Sequence, residues 1–296
     1  MKFNRIVCLD KTKLQDWALE ELQKLSEKKI EYHLDYPESD EEILNRIGDA
    51  EAVLVSWRTQ ISEEIIKKCP NLKYIGMCCS LYDDASANVP VNFSRERGIT
   101  VKGIRDYGDP GVIEFVISEL IRLLHGFGEQ QWKEMPLELT NRKIGIIGLG
   151  TTGQMLAKCL LPFGAELYYF SRSRKEKWEE KGVKYLPLKE LLEKCEIISV
   201  HLPKNTVLIK EEEFRHFGHE KILINTSLGL PFQESAFEEW IKNASNYAIF
   251  DGDGKKELPA DLENRSNVIF SKKSAGWSAE TERRLSEKVL ENIKSL

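Results

Sequence analysis

Gly148-Leu149-Gly150-Thr151-Thr152-Gly153 sets three glycines at GxGxxG spacing, directly after the apolar run Lys143–Gly148 and directly before the helical run Gln154–Leu161. In a strand-turn-helix of this kind the first glycine makes the tight turn and the second lets the backbone approach a diphosphate. The third lets helix and strand pack closely, and the N–H groups of the first helical turn face the anion. Further on, roughly 20 positions past the first glycine, a carboxylate would accept a hydrogen bond from a ribose 2′-hydroxyl. Here the next strand ends in Phe170-Ser171-Arg172-Ser173-Arg174 instead. Hydroxyls and two guanidiniums form charge-assisted hydrogen bonds to a 2′-phosphate, and no carboxylate stands there to repel it. The expected cofactor is therefore NADP(H), with NAD(H) the alternative; the plain reading of the arginines is solvated surface.

Such a turn needs a parallel sheet around it, and the chain supplies one. The 296 residues suffice for two domains at roughly 100–200 residues each. In the first part, strand-type and helical runs alternate: Phe3–Leu9 and Leu14–Glu27, Ile30–Leu34 and Asp40–Ile47, Ala52–Trp57 and Ser62–Lys68, Leu72–Cys79 and Val91–Arg97, then Ile99–Ile104. The turn-rich segment Tyr107-Gly108-Asp109-Pro110-Gly111 precedes a helix from about Val112 to Leu124. Strand-type runs resume at Lys143–Gly148, Leu167–Phe170, Ile197–Leu202, Ile222–Asn225, Ala248–Phe250 and Val268–Phe270. The pattern predicts an α/β protein with two doubly wound, Rossmann-like domains, both with parallel sheets. A last helix, about Ala279–Lys294, is expected to return to the first domain. The expected division is 1–107 plus 277–296, with a dinucleotide-binding domain at 108–276 inserted into it.

Composition narrows the partners. Hydrophobic residues make up 41% and charged residues 31%, an ordinary globular balance. The net charge of −5 comes from interleaved acids and bases with no basic face, which argues against nucleic acid. No apolar run reaches the roughly 18 residues of a membrane span, and the N-terminal residues lead straight into a strand-type segment, so a cytoplasmic protein is expected. Cys8, Cys69, Cys78, Cys79, Cys159 and Cys195 show neither CxxC nor metal-type spacing and read as reduced core residues; no metal is expected.

Several segments together resemble the D-2-hydroxyacid dehydrogenase family, most closely from Leu72 onward: Gly145-Ile146-Ile147-Gly148-Leu149-Gly150, Ile197-Ile198-Ser199-Val200-His201-Leu202-Pro203, Ile224-Asn225-Thr226-Ser227-Leu228-Gly229, and the helix around Val112-Ile113-Glu114. The resemblance implies a small-molecule 2-oxo or 2-hydroxy acid substrate, hydride transfer to or from a nicotinamide, and a homodimer. It also implies an Arg that grips the substrate carboxylate, a His acid/base and a Glu supporting the His. This chain departs from that set. Leu228 stands where the Arg is expected and Lys273 where the His is expected, while Lys256 takes the place of the Glu and Glu257 follows one position later.

The expected catalytic pair is accordingly Lys273, partly buried beside Lys272 and donating to a developing alkoxide, with Glu257. Expected cofactor contacts are Gly148, Gly150, Thr152, Gly153, Ser171, Arg172, Arg174, Pro203 and Asp251; Asp251 matches the family residue near the nicotinamide carboxamide. Arg58, Ser80 and Arg105 are the candidate substrate ligands, and His201, in an apolar strand, reads as a packed residue. Two functions follow: an NADP(H)-dependent reductase of a small carbonyl or imine substrate with an altered catalytic set, or a dinucleotide-binding sensor or assembly partner without turnover.

Overall fold

The computed structural model describes residues 2–84, 87–204, 206–256 and 258–296, without the side chains of Asp261 and Glu263. The chain divides into two compact units, Met1–Tyr107 with Ser278–Leu296, and Gly108–Trp277.

In the first unit the strands are β1 (Ile6–Cys8), β2 (Glu31–Tyr32), β3 (Ala52–Val55), β4 (Tyr74–Ser80) and β5 (Thr100–Ile104). They form a parallel sheet in the order β2-β1-β3-β4-β5. The strand expected at Ile30–Leu34 shrinks to two residues at the sheet edge, and Leu34 beyond them is 70% exposed. Helix Ala279–Lys294 buries Leu285, Val289, Leu290 and Ile293 in the same apolar cluster as Cys8, Leu54, Tyr74 and Ile104. The Ser278 hydroxyl caps it by accepting from Thr281 N at 3.1 Å.

In the second unit, β6 (Lys143–Ile147), β7 (Glu166–Phe170), β8 (Lys184–Tyr185), β9 (Ile197–Val200), β10 (Ile222–Asn225), β11 (Tyr247–Phe250) and β12 (Val268–Phe270) are all parallel. Their order is β12-β11-β10-β9-β6-β7-β8, so the direction of winding reverses between β6 and β9. Strands β6 and β9 are buried on both faces, which is why they read as nearly unbroken apolar runs. The short strand β8 carries no such signal. Asp109-Pro110-Gly111, expected as a breaker, instead forms the first turn of helix Asp109–His125, a place where the missing proline N–H costs nothing.

Candidate active site

In a doubly wound sheet, ligands bind outside the carboxyl ends of the strands at the reversal point. In the second unit that point is flanked by the turn after β6 and the segment His201–Pro203 after β9. Gly148 adopts φ +93°, and a Cβ on it would sit 2.2 Å from His201 O. Its N–H donates to Phe170 O at 2.8 Å. A Cβ on Gly153 would lie 2.2 Å from Gly148 O. Both glycines are therefore demanded by the fold itself. Gly150 differs: its φ is −81° and a Cβ would meet nothing within 4 Å among the described residues. Gly150 is the N-cap of helix Thr151–Leu160, and no side chain caps it. Among the described residues, the N–H groups of that first turn are thus left to a partner outside the chain. A diphosphate fits this cradle.

The other expected cofactor residues divide into free and engaged groups. The Thr152 hydroxyl donates to Asp109 Oδ1, so it ties the turn to helix Asp109–His125. Pro203 is exposed at the end of the segment after β9. At the end of β7 the Ser171 hydroxyl closes a local turn onto Ser173 O at 2.5 Å. Arg172 is exposed and has no ion-pair partner among the described residues, whereas Arg174 is paired with Glu179 and lies over the Tyr185 ring at 5.2 Å.

Asp251, at the end of β11, is buried and accepts from Gly254 N and Ala275 N, each at 2.7 Å. Burial holds its carboxyl above the usual range, against the smaller pull of those two amides. The carboxylate thereby binds the loop after β11 to the loop after β12, and Gly252 N donates to Lys273 O at 2.9 Å across the same pair. Lys273 N donates to Ser271 Oγ at 3.1 Å, so the backbone at residue 273 is held from two sides. The side chains of Lys272 and Lys273 are exposed, which corrects the expected partial burial: the loop follows β12, the edge strand of its sheet. Glu257 lies outside the described residues.

Leu228 is 54% exposed in a loop held by its neighbours. Asn225 Nδ2 donates to Gly229 O at 3.2 Å, Ser227 N to Asn225 Oδ1 at 3.0 Å, and Ser227 Oγ to Val200 O at 3.2 Å. The loop is thus ordered and presents a methyl-bearing side chain where the family resemblance expects a guanidinium.

His201 Nε2 lies 2.9 Å from Ser199 Oγ, and burial pushes its pKa from 6.5 down to about 4. The imidazole is neutral in the native state near pH 7, in keeping with a packed residue. A base whose folded pKa is depressed contributes stability above its unfolded pKa, and this is lost as pH falls from about 6.5 toward about 4. The loss is on the order of 3 kcal/mol at most. Urea unfolding at pH 7 and pH 4.5 should accordingly show a smaller acid-induced drop in His201→Gln than in the parent. Equal drops would remove His201 from the acid response.

In the first unit, Arg58 follows β3 and is exposed, with its guanidinium 4.9 Å from the Tyr36 ring centre and 5.4 Å from that of Trp57. Its loop is fixed by buried Asp10, which accepts from Ser56 N at 2.9 Å, Ser56 Oγ at 2.7 Å and Thr59 Oγ1 at 2.5 Å. Sequence reasoning missed Asp10, yet the signal was available: a carboxylate just after β1 and hydroxyls just after β3 meet wherever the sheet reverses between those strands. Arg105 donates from Nε to Leu81 O at 2.7 Å and from Nη2 to Tyr82 O at 2.8 Å, so it braces the loop that follows Ser80, the last residue of β4. Among the described residues there is no cluster of His, Cys, Asp and Glu that could hold a metal ion, and no helix long and apolar enough to cross a membrane.

Residues 117–272 match the family described as D-isomer specific 2-hydroxyacid dehydrogenase, NAD binding domain. The chain belongs to this family. Its members are oxidoreductases acting between CH–OH and C=O. Relatives include a glyoxylate reductase of Korarchaeum cryptofilum, 28% identical over 302 residues, covering 90% of this chain and 87% of the relative. A hydroxypyruvate reductase of Blautia hydrogenotrophica is 29% identical over 208 residues, 64% of this chain and 63% of that enzyme. Among solved structures, an acyclic imino acid reductase in complex with NADPH and D-Arg is 25% identical, covers 98% of this chain and 96% of its own, and superposes with a TM-score of 0.81.

Proposed function

We propose that the chain is an NADP(H)-dependent reductase of a small carbonyl or imine substrate, a 2-oxo acid or a close relative of one, working with an altered catalytic set. One observation carries the cofactor half: Gly150 faces open space at an uncapped helix N-terminus, with Ser171 and Arg172 at the end of the neighbouring strand. The backbone N–H groups of Gly150–Gly153 would hold the pyrophosphate, Arg172 the 2′-phosphate, and the loop fixed by Asp251 the nicotinamide end. When bound, the reduced nicotinamide supplies a hydride to the carbonyl carbon. The chain's own part is to place the substrate and deliver a proton to the carbonyl oxygen, and the Lys273 ammonium is the donor in this reading. With Leu228 in place of a guanidinium, a substrate carboxylate needs another cation than the one the family resemblance expects at that position.

The NADPH complex of the imino acid reductase supports both the cofactor choice and the inclusion of imines. A cytoplasmic homodimer completes the reading; the six unpaired cysteines agree with a reducing compartment. Arg172→Ala should weaken NADPH binding by about ten- to a hundred-fold, the loss of one charge-assisted contact, and leave NADH within about two-fold. Fluorescence titration with both cofactors checks this, and an unchanged NADPH affinity would overturn the cofactor assignment.

A further inference from the structure

The two guanidiniums at the end of β7 are not equivalent. Arg174 meets Glu179 as a fork, with Nε 3.0 Å from Oε1 and Nη2 on Oε2. The buried Tyr169 donates its hydroxyl to the same carboxylate at 2.8 Å and accepts from Lys175 N at 2.6 Å. Glu179 is thereby anchored to the end of β7, and the Arg174 plane is set over the Tyr185 ring at 5.2 Å. Bonds from Arg174 and then Tyr169 hold the Glu179 carboxyl below the usual range, so it is ionised at neutral pH. Arg172 has no such counterion among the described residues. The segment therefore offers an incoming anion one uncompensated positive charge, although the sequence shows two.

We propose that Glu179 is a specificity-determining residue: by offsetting the charge of Arg174 it sets how strongly the chain prefers a 2′-phosphorylated dinucleotide. The inference rests on the reading of residues 171–174 as the ribose end of the cofactor site. A carboxylate a few ångströms behind Arg174 opposes a 2′-phosphate through partly aqueous surroundings. Removing its charge should therefore tighten NADPH binding by about three- to ten-fold. NADH, which lacks the phosphate, should change by less than about two-fold.

Glu179→Gln is the test, because an amide oxygen still accepts from Tyr169 and Arg174 while the charge is gone. Dissociation constants for NADPH and NADH are measured by fluorescence titration at about 0.05 M and about 0.5 M salt. The expected result is a rise in the NADPH preference that is largest at low salt and shrinks at high salt, since screening shortens with ionic strength. A change from mere repacking would not follow salt. A preference that is unchanged, lower, or shifted equally at both salt concentrations overturns the role of Glu179. Arg172→Ala, measured alongside, separates the two failures. If it abolishes the NADPH preference while Glu179→Gln changes nothing, only the counterion role falls. If neither variant alters NADPH binding, the assignment of the ribose end falls with it.

Discussion

Gly150→Val should bind NADPH at least about a hundred-fold more weakly than the parent while unfolding within about 4 °C of it. Two glycines of the same turn differ in what they need. Gly148 has φ +93° and would put a Cβ 2.2 Å from His201 O, so Gly148→Ala should lose stability whether or not any ligand exists. Gly150 has an ordinary extended backbone and open space around its Cβ direction, so no contact among the described residues requires glycine there. A valine at an N-cap costs about 1 kcal/mol, or a few degrees in a unit of this size. Its methyl groups, however, would stand where a diphosphate must approach the N–H groups of residues 150–153. Two charge-assisted hydrogen bonds lost at about 1.5 kcal/mol each account for the hundred-fold loss. Differential scanning fluorimetry with NADPH titration reads both quantities, and full affinity in Gly150→Val would mean that the dinucleotide lies elsewhere.

Lys273→Ala should lower the turnover number for carbonyl reduction by about a hundred- to a thousand-fold and change NADPH affinity by less than two-fold, as removal of a positioned proton donor predicts. The Lys273 backbone is held by Ser271 and Gly252, so truncating an exposed side chain leaves the loop in place. Lys273→His should recover part of the loss, since an imidazolium at the same backbone position donates a proton as well. The assay is NADPH oxidation against glyoxylate, hydroxypyruvate, pyruvate, a panel of ketones and cyclic or acyclic imines. Equal activity in Lys273→Ala would remove the residue from the mechanism. A parent protein that binds NADPH tightly and reduces none of these compounds would favour the sensor reading.

Much of this was legible in the sequence because the physics was local. The strand, turn and helix around Gly148–Gly153 are set by an apolar run, three glycines and an amphipathic helix, all within 20 residues, and the alternation of runs fixes two parallel sheets. Charge partners were not legible. Arg172 and Arg174 are two positions apart and chemically identical, yet only the fold shows that Glu179, itself held by Tyr169, engages one of them. Thr152 reads as a ligand in the motif, but its hydroxyl is turned onto Asp109, 43 positions earlier. The exposure of Lys273 likewise depends on β12 being the edge strand, which is a property of strand order and not of the residues around position 273.

A backbone N–H titration tests the account at its centre. In a ¹⁵N-labelled sample titrated with NADP⁺, the amides of Gly150, Thr151, Thr152 and Gly153 should show the largest and saturating shifts, with Arg172 next, because these groups face the bound phosphates. Shifts confined to other segments, with residues 150–153 unmoved at saturation, would contradict it.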